Sequence, residues 1–236
     1  QAADNRGWSM KQKNRLVVSG RTDPNQPINF TFNGKPYQGL LGDTLASALL
    51  ANGVNVVGRS FKYARPRGIV GHGPEEPNGI IQLGSGSATV PNLKVTQVEL
   101  YEGLDAKSVN GWPSVNIDVM GLVGVFGRLM PPGFYYKTFM YPKKLWMTYE
   151  HFIRKAAGLG KTPTEADPDT YEKLNQHCDV LVVGAGPAGL MAALEAGLTG
   201  ARVIISDEQS EFGGSLLAST QRIDDQSSTD WIAQTV

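Results

Sequence analysis

The 236 residues carry 22 Lys/Arg against 22 Asp/Glu, and 41% of them are apolar. That content is enough for real cores, one large or two small, while the single cysteine, Cys178, excludes an internal disulfide framework. Neutrality hides an asymmetry: residues 1–160 hold 18 Lys/Arg against 10 Asp/Glu and residues 161–236 hold 4 against 12, which points to a change of domain.

No apolar stretch reaches the roughly 18 residues of a membrane span, and the first residues lack the apolar segment of a signal peptide. A soluble, cytoplasmic protein is expected, with residues 1–20 as a tail. Ile28, Phe30 and Phe32 then alternate with polar residues and lead into Asn33-Gly34, a pair suited to the positive φ of a tight hairpin turn. Lys35 to Leu40 returns as the second strand. Asp43 or Thr44 is placed to cap a helix from Leu45 to about Asn52, with Leu45/Leu49 and Ala46/Leu50 paired at i, i+4 and Gly53 at its stop. A hairpin that feeds a helix opens a β-grasp, taken as residues 21–105. Short strands are expected at Ile80–Leu83 and Val95–Tyr101.

Between them lies Gly58 to Gly68, where Arg59, Lys62, Arg65 and Arg67 interleave with Phe61 and Tyr63. No RNA-binding fold accompanies this stretch, so nucleic acid is not expected; a subunit or domain contact and a solvated loop are the two readings left open. Gly71 to Gly79 is turn-rich and reads as a loop. Residues 106–175 form a connecting segment of unassigned fold, with a helix expected around Lys144–Ala157 and a polar linker from Lys161 to Pro168. His72, His151 and His177 have no ligand spacing, so no metal site is expected. Cys178 reads as a small hydrophobe, Trp146 and Tyr149 as packing residues, and Tyr135, Tyr136 and Lys137 as core in preference to flavin contacts.

Residues 176–236 are the most informative. Asp179-Val180-Leu181-Val182-Val183 is the continuous apolar run of a strand buried on both faces of a parallel sheet. It leads into Gly184-Ala185-Gly186-Pro187-Ala188-Gly189, where the first glycine allows the turn, the second lets the backbone approach a pyrophosphate and the third lets the helix pack on the strand. A helix from about Pro187 to Leu198 aims its free N–H groups at the phosphates. A second strand, Arg202 to Ser206, ends in Asp207, placed for the adenosine ribose hydroxyls, with Glu208 beside it and Gly213-Gly214-Ser215 as a further close-approach loop. The acid argues against a 2′-phosphate, and the motif's shape does not separate NAD from FAD. The fold class is thus α/β and α+β: a β-grasp followed by the first part of a Rossmann-like dinucleotide-binding domain, expected to belong to a longer polypeptide.

Four strings, Gly42 to Gly53, Gly58 to Gly68, Glu75-Glu76-Pro77-Asn78 and Pro132 to Met140, resemble the α subunits of heterotetrameric sarcosine oxidases. The related α subunits of amino-acid and opine dehydrogenases and of hydrogen cyanide synthase share this N-terminal plan. The resemblance implies a complex with β, γ and δ subunits that oxidises sarcosine to glycine, passes formaldehyde to tetrahydrofolate and forms hydrogen peroxide. It places the amine site at FAD in the β subunit, FMN between α and β, and NAD in the α subunit, lined by Gly184, Gly186, Pro187, Ala188, Gly189, Asp207, Glu208, Gly214 and Ser215. It leaves no amine-oxidation catalyst in this chain. A non-catalytic assembly module with a structural nucleotide site is the reading from another class. The β-grasp looks like a [2Fe–2S] ferredoxin domain with Gly68 to Gly79 in place of the cluster loop; that loop has no cysteine, so no iron–sulfur cluster is expected.

Overall fold

The computed structural model describes residues 12–16, 20–61, 63–119, 121–122 and 141–236, arranged as two compact units, Gln1–Pro168 and Asp169–Val236. Lys62, Tyr135, Tyr136, Lys137 and the Pro132–Met140 string lie outside the described residues.

In the first unit, β1 (Asp23–Phe32) and β2 (Lys35–Leu41) pair antiparallel, with Phe32 opposite Lys35 across the turn. Asn33 and Gly34 both take positive φ, 52° and 72°, as a turn that continues the strands' twist requires. Helix α1 (Leu45–Ala51) follows. Thr44 is its N-cap and forms a capping box: its hydroxyl accepts from the Ser47 N–H at 3.2 Å, and its own N–H donates to Ser47 Oγ at 3.0 Å. Gly53, at φ +75°, follows the Asn52 C-cap. Leu45 and Leu49 are fully buried, whereas Leu50 is exposed, so of the two expected i, i+4 pairs the first alone lies wholly in the core.

The sheet is mixed, in the order β2-β1-β7-β5-β6, with β5 (Ile80–Leu83), β6 (Val90–Lys94) and β7 (Asp105–Ser108). Strand β7 runs parallel to β1, with Thr31 opposite Asp105, and antiparallel to β5. Phe30, Phe32, Ile81, Val95, Leu104 and Ala106 meet Leu45 and Leu49 in one core. The expected strand at Val95–Tyr101 is not formed. Its carbonyls go to the helix instead: Val98 O accepts from the Leu45 N–H at 2.8 Å and Val95 O from the Ala46 N–H at 3.0 Å. The free N–H groups of the first helical turn win those acceptors, and Val95, Val98 and Leu100 are buried without a ladder. The neighbouring strands are β6 before this segment and β7 after it.

A small hairpin, β3 (Gly58–Arg59) with β4 (Pro66–Arg67), carries the basic stretch. Arg59 is turned inward. Its guanidinium donates to Val115 O at 2.6 Å, Ala64 O at 2.9 Å and Asn116 O at 3.0 Å, which fastens the 113–116 segment to the hairpin. Arg65 lies over the Tyr63 ring at 5.0 Å, and Arg67 donates to Asn78 Oδ1 at 2.9 Å. Helix α2 (Trp146–Ala157) ends at Gly158 in the left-handed region, as expected of a helix stop.

The second unit is a β–α–β unit. Strands β8 (Val180–Val183) and β9 (Val203–Ser206) pair in parallel, joined by helix α3 (Pro187–Leu198). A short hairpin of β10 (Arg222–Ile223) and β11 (Gln226–Ser227) precedes helix α4 (Ser228–Thr235), capped by the Ser227 hydroxyl. Strand β8 is not buried on both faces as expected. Leu181 is 58% exposed and Val183 81% exposed, because α3 covers the Val182 face and, among the described residues, the opposite face remains open.

Candidate dinucleotide site

The site grows from the end of β8. Gly184 takes φ +99°, a conformation L side chains rarely adopt, so glycine is needed there for the turn itself. Gly189 is needed for packing: a Cβ would fall 1.8 Å from the Gly184 carbonyl oxygen. Gly186 is different. Its φ is −73° and a Cβ would meet no atom of the described residues within 4 Å, so neither strain nor packing among them requires glycine. Gly186 is the N-cap of α3 and offers no side-chain cap, and Pro187 lacks an N–H. The first-turn N–H groups of Ala188 and Gly189 have no acceptor within the helix and lie next to Gly186, at the positive end of the helix dipole.

Asp207 joins this turn. One carboxylate oxygen accepts from the Ala185 N–H, and the other accepts from the Gln209 N–H at 2.8 Å. Ala185 is itself fully buried, and its carbonyl accepts from the Gly213 N–H at 2.8 Å. That bond brings the second glycine loop onto the first: a Cβ on Gly214 would stand 3.0 Å from Gly186 Cα. Gly213 is held at φ +128°, against Leu217 and Ile232. Of the expected residues, Gly184, Gly186, Pro187, Ala188, Gly189, Asp207 and Gly214 converge on one place. Glu208 and Ser215 are exposed on the adjoining segments. Ala185 and Gln209 were not anticipated; both act through backbone N–H groups, which side-chain patterns do not reveal.

Elsewhere, no group of three or more His, Cys, Asp or Glu among the described residues is arranged to hold a metal ion. No helix among them is long and apolar enough to cross a membrane.

Residues 179–235 match the family of FAD dependent oxidoreductases, and residues 25–111 match the 2Fe-2S iron-sulfur cluster binding domain family. The first match corrects the assignment of NAD. A strand, glycine turn and acid form a pattern suited to the ADP half that NAD and FAD share, so the pattern by itself does not discriminate; the family match is to FAD dependent oxidoreductases. The second match is to a cluster-binding family, so the expected absence of a cluster, which came from counting thiolates in one loop, is not confirmed. The side chains present do not fit such a cluster, which needs four soft ligands, since residues 25–111 contain His72 and no cysteine.

Among relatives, the chain is 56% identical over 222 residues to the sarcosine oxidase α subunit of Rhizobium meliloti (strain 1021), covering 94% of this chain and 22% of that protein. It is 34% identical over 220 residues to the α subunit of the Corynebacterium sp. (strain U-96) sarcosine oxidase, covering 92% and 18%. An opine oxidase subunit of Rhizobium meliloti is 47% identical over 53 residues, 22% of this chain and 10% of that one. The solved structure of L-proline dehydrogenase from P. horikoshii aligns with a TM-score of 0.46 at 17% identity, covering 96% of this chain and 33% of that one. The chain spans about a fifth of the length of the sarcosine oxidase relatives. Over nearly all of its own length, it is a homologue of the N-terminal part of sarcosine oxidase α subunits.

Proposed function

We propose that the chain serves as the N-terminal part of the α subunit of an amine-oxidising flavoenzyme of the sarcosine oxidase kind, and that residues 179–235 hold the ADP half of FAD. Gly186 carries the reading: a glycine without internal need, at an uncapped helix mouth, is explained by a group from outside the chain. The N–H groups of Ala188 and Gly189 would bind the pyrophosphate, and Asp207 the ribose hydroxyls. Glu208, Gly214 and Ser215 would form the rim. When bound, FAD supplies the two-electron chemistry; these residues supply binding and orientation. By analogy with that family the amine site would lie on a β subunit, so this chain's part would be to hold a dinucleotide and to meet β, γ and δ partners in a complex that converts sarcosine to glycine and forms hydrogen peroxide. The shorter match to the opine oxidase supports an opine substrate as the second reading.

The test is flavin uptake by the full-length protein. FAD titration followed by quenching of flavin fluorescence should show saturable binding in the wild type. Gly186→Val should keep the wild-type melting temperature without FAD, because its side chain enters open space, and should lose binding. A wild type that takes up no FAD sinks the proposal, as does Gly186→Val binding FAD normally.

A further inference from the structure

Glu76 is fully buried, a carboxylate taken wholly out of water. Burial without partners would strongly disfavour the charged form. Four backbone N–H groups meet it: Oε2 accepts from Val70 at 2.8 Å and Gly71 at 2.5 Å, and Oε1 from Asn78 at 2.7 Å and Gly79 at 3.1 Å. The donors come from both ends of the loop, so one side chain ties its entrance to its exit. Glycine permits this wrap, since a Cβ on Gly71 would stand 3.0 Å from Glu76 Cα and one on Gly79 would stand 2.5 Å from Val95 Cγ2. The surrounding polar groups are also engaged. Glu75 accepts from the N–H groups of His72 and Gly73, Thr96 Oγ1 donates to Gly73 O at 2.7 Å, and Asn78 Nδ2 donates to Gly68 O at 3.1 Å.

We infer that Val70 to Gly79 is a built oxyanion site whose occupant is the chain's own Glu76 carboxylate, four convergent amides filled from within. Concave sets of backbone N–H groups ordinarily take an external anion. Here burial pushes the carboxyl's pKa up, and the amides of Gly71, Asn78, Val70 and Gly79 outweigh it, so the occupant stays charged at neutral pH. Vacating the site should leave it open to a small carboxylate. The inference is independent of the FAD reading, because the loop and the glycine turn belong to different units.

Amide hydrogen exchange on the full-length protein tests it. In the wild type, the amides of Val70, Gly71, Asn78 and Gly79 should exchange about a hundredfold more slowly than those of the exposed 161–168 linker. Glu76→Ala should speed all four by roughly tenfold or more, and about 100 mM acetate should restore protection where equal sodium chloride does not. Glu76→Gln keeps one acceptor oxygen and should expose one pair, Val70 with Gly71 or Asn78 with Gly79. Wild-type amides exchanging at linker rates overturn the inference, as does protection surviving Glu76→Ala or its loss without acetate rescue. Should Glu76→Ala fail to fold, the wild-type rates and the Glu76→Gln pattern decide; a Glu76→Gln that exposes neither pair overturns it.

Discussion

The carboxylate of Asp207 receives the backbone N–H of Ala185, so the acid that ends β9 is bonded to the middle of the turn that ends β8. Its other oxygen receives the Gln209 N–H, which leaves the carboxylate oriented at the turn by two donors from different segments. Asp207→Asn presents one acceptor oxygen where two are in use, and removes the charge. The expected result is a Kd for FAD raised about tenfold to a hundredfold, the worth of one hydrogen bond to a charged group. Calorimetric titration against the wild type measures this, and an unchanged Kd removes Asp207 from the site.

The glycines of α3 should respond with opposite signs to the same substitution. Gly189→Ala forces a Cβ to 1.8 Å from the Gly184 carbonyl oxygen, so helix and strand must part, at a cost of about 1–3 kcal/mol. Gly197 sits in the same helix, exposed, with no atom of the described residues within 4 Å of a Cβ, and Gly197→Ala should stabilise by roughly 0.5–1 kcal/mol through the unfolded chain. Urea unfolding of the two variants gives both signs in one experiment. Equal effects would mean that the turn relaxes around the added methyl.

What was legible in the sequence was local. Asn33-Gly34, the helix start at Asp43-Thr44, and Gly184 to Gly189 each encode backbone geometry within a few residues, and each formed where its pattern placed it, with Thr44 the cap of the two candidates. The failures came from competition at longer range. Val95 to Leu100 has strand composition, yet its carbonyls are claimed by the N–H groups of Leu45 and Ala46, far away in sequence. Arg59 reads as a surface cation and instead spends its donors on three carbonyls of the fold. The nucleotide was unreadable for a different reason: an acid and a glycine turn of this kind are suited to the part that NAD and FAD have in common.

Thr44 offers a test of how α1 is held. Two of its first-turn donors, Leu45 and Ala46 N–H, are satisfied by Val98 and Val95, whereas the Ser47 N–H depends on the Thr44 hydroxyl. Thr44→Ala therefore orphans one donor and should cost about 1 kcal/mol. A thermal melt detects this as a fall of a few degrees. No change would mean that the carbonyls of the 95–98 segment hold the helix start without the cap.

Glu76 gives a pH dependence whose sign is fixed. The buried carboxyl is favoured by burial in its neutral form, but the four amides outweigh this and hold its folded pKa below the ordinary 4.5. A depressed carboxyl contributes stability that is fully present above the unfolded pKa and disappears as pH falls through the folded one, because in that window the unfolded chain binds the extra proton. Glu75, Asp23 and Asp179 are depressed as well, by backbone N–H bonds in the first two and by Arg202 in the third, and they act in the same direction from exposed positions. Subtraction isolates Glu76. Unfolding free energies of wild type and Glu76→Gln, measured from about pH 7 down through 4.5, should converge as the wild type loses what its carboxylate supplies. Curves that stay parallel below pH 4.5 would show that the amides gain nothing from the charge.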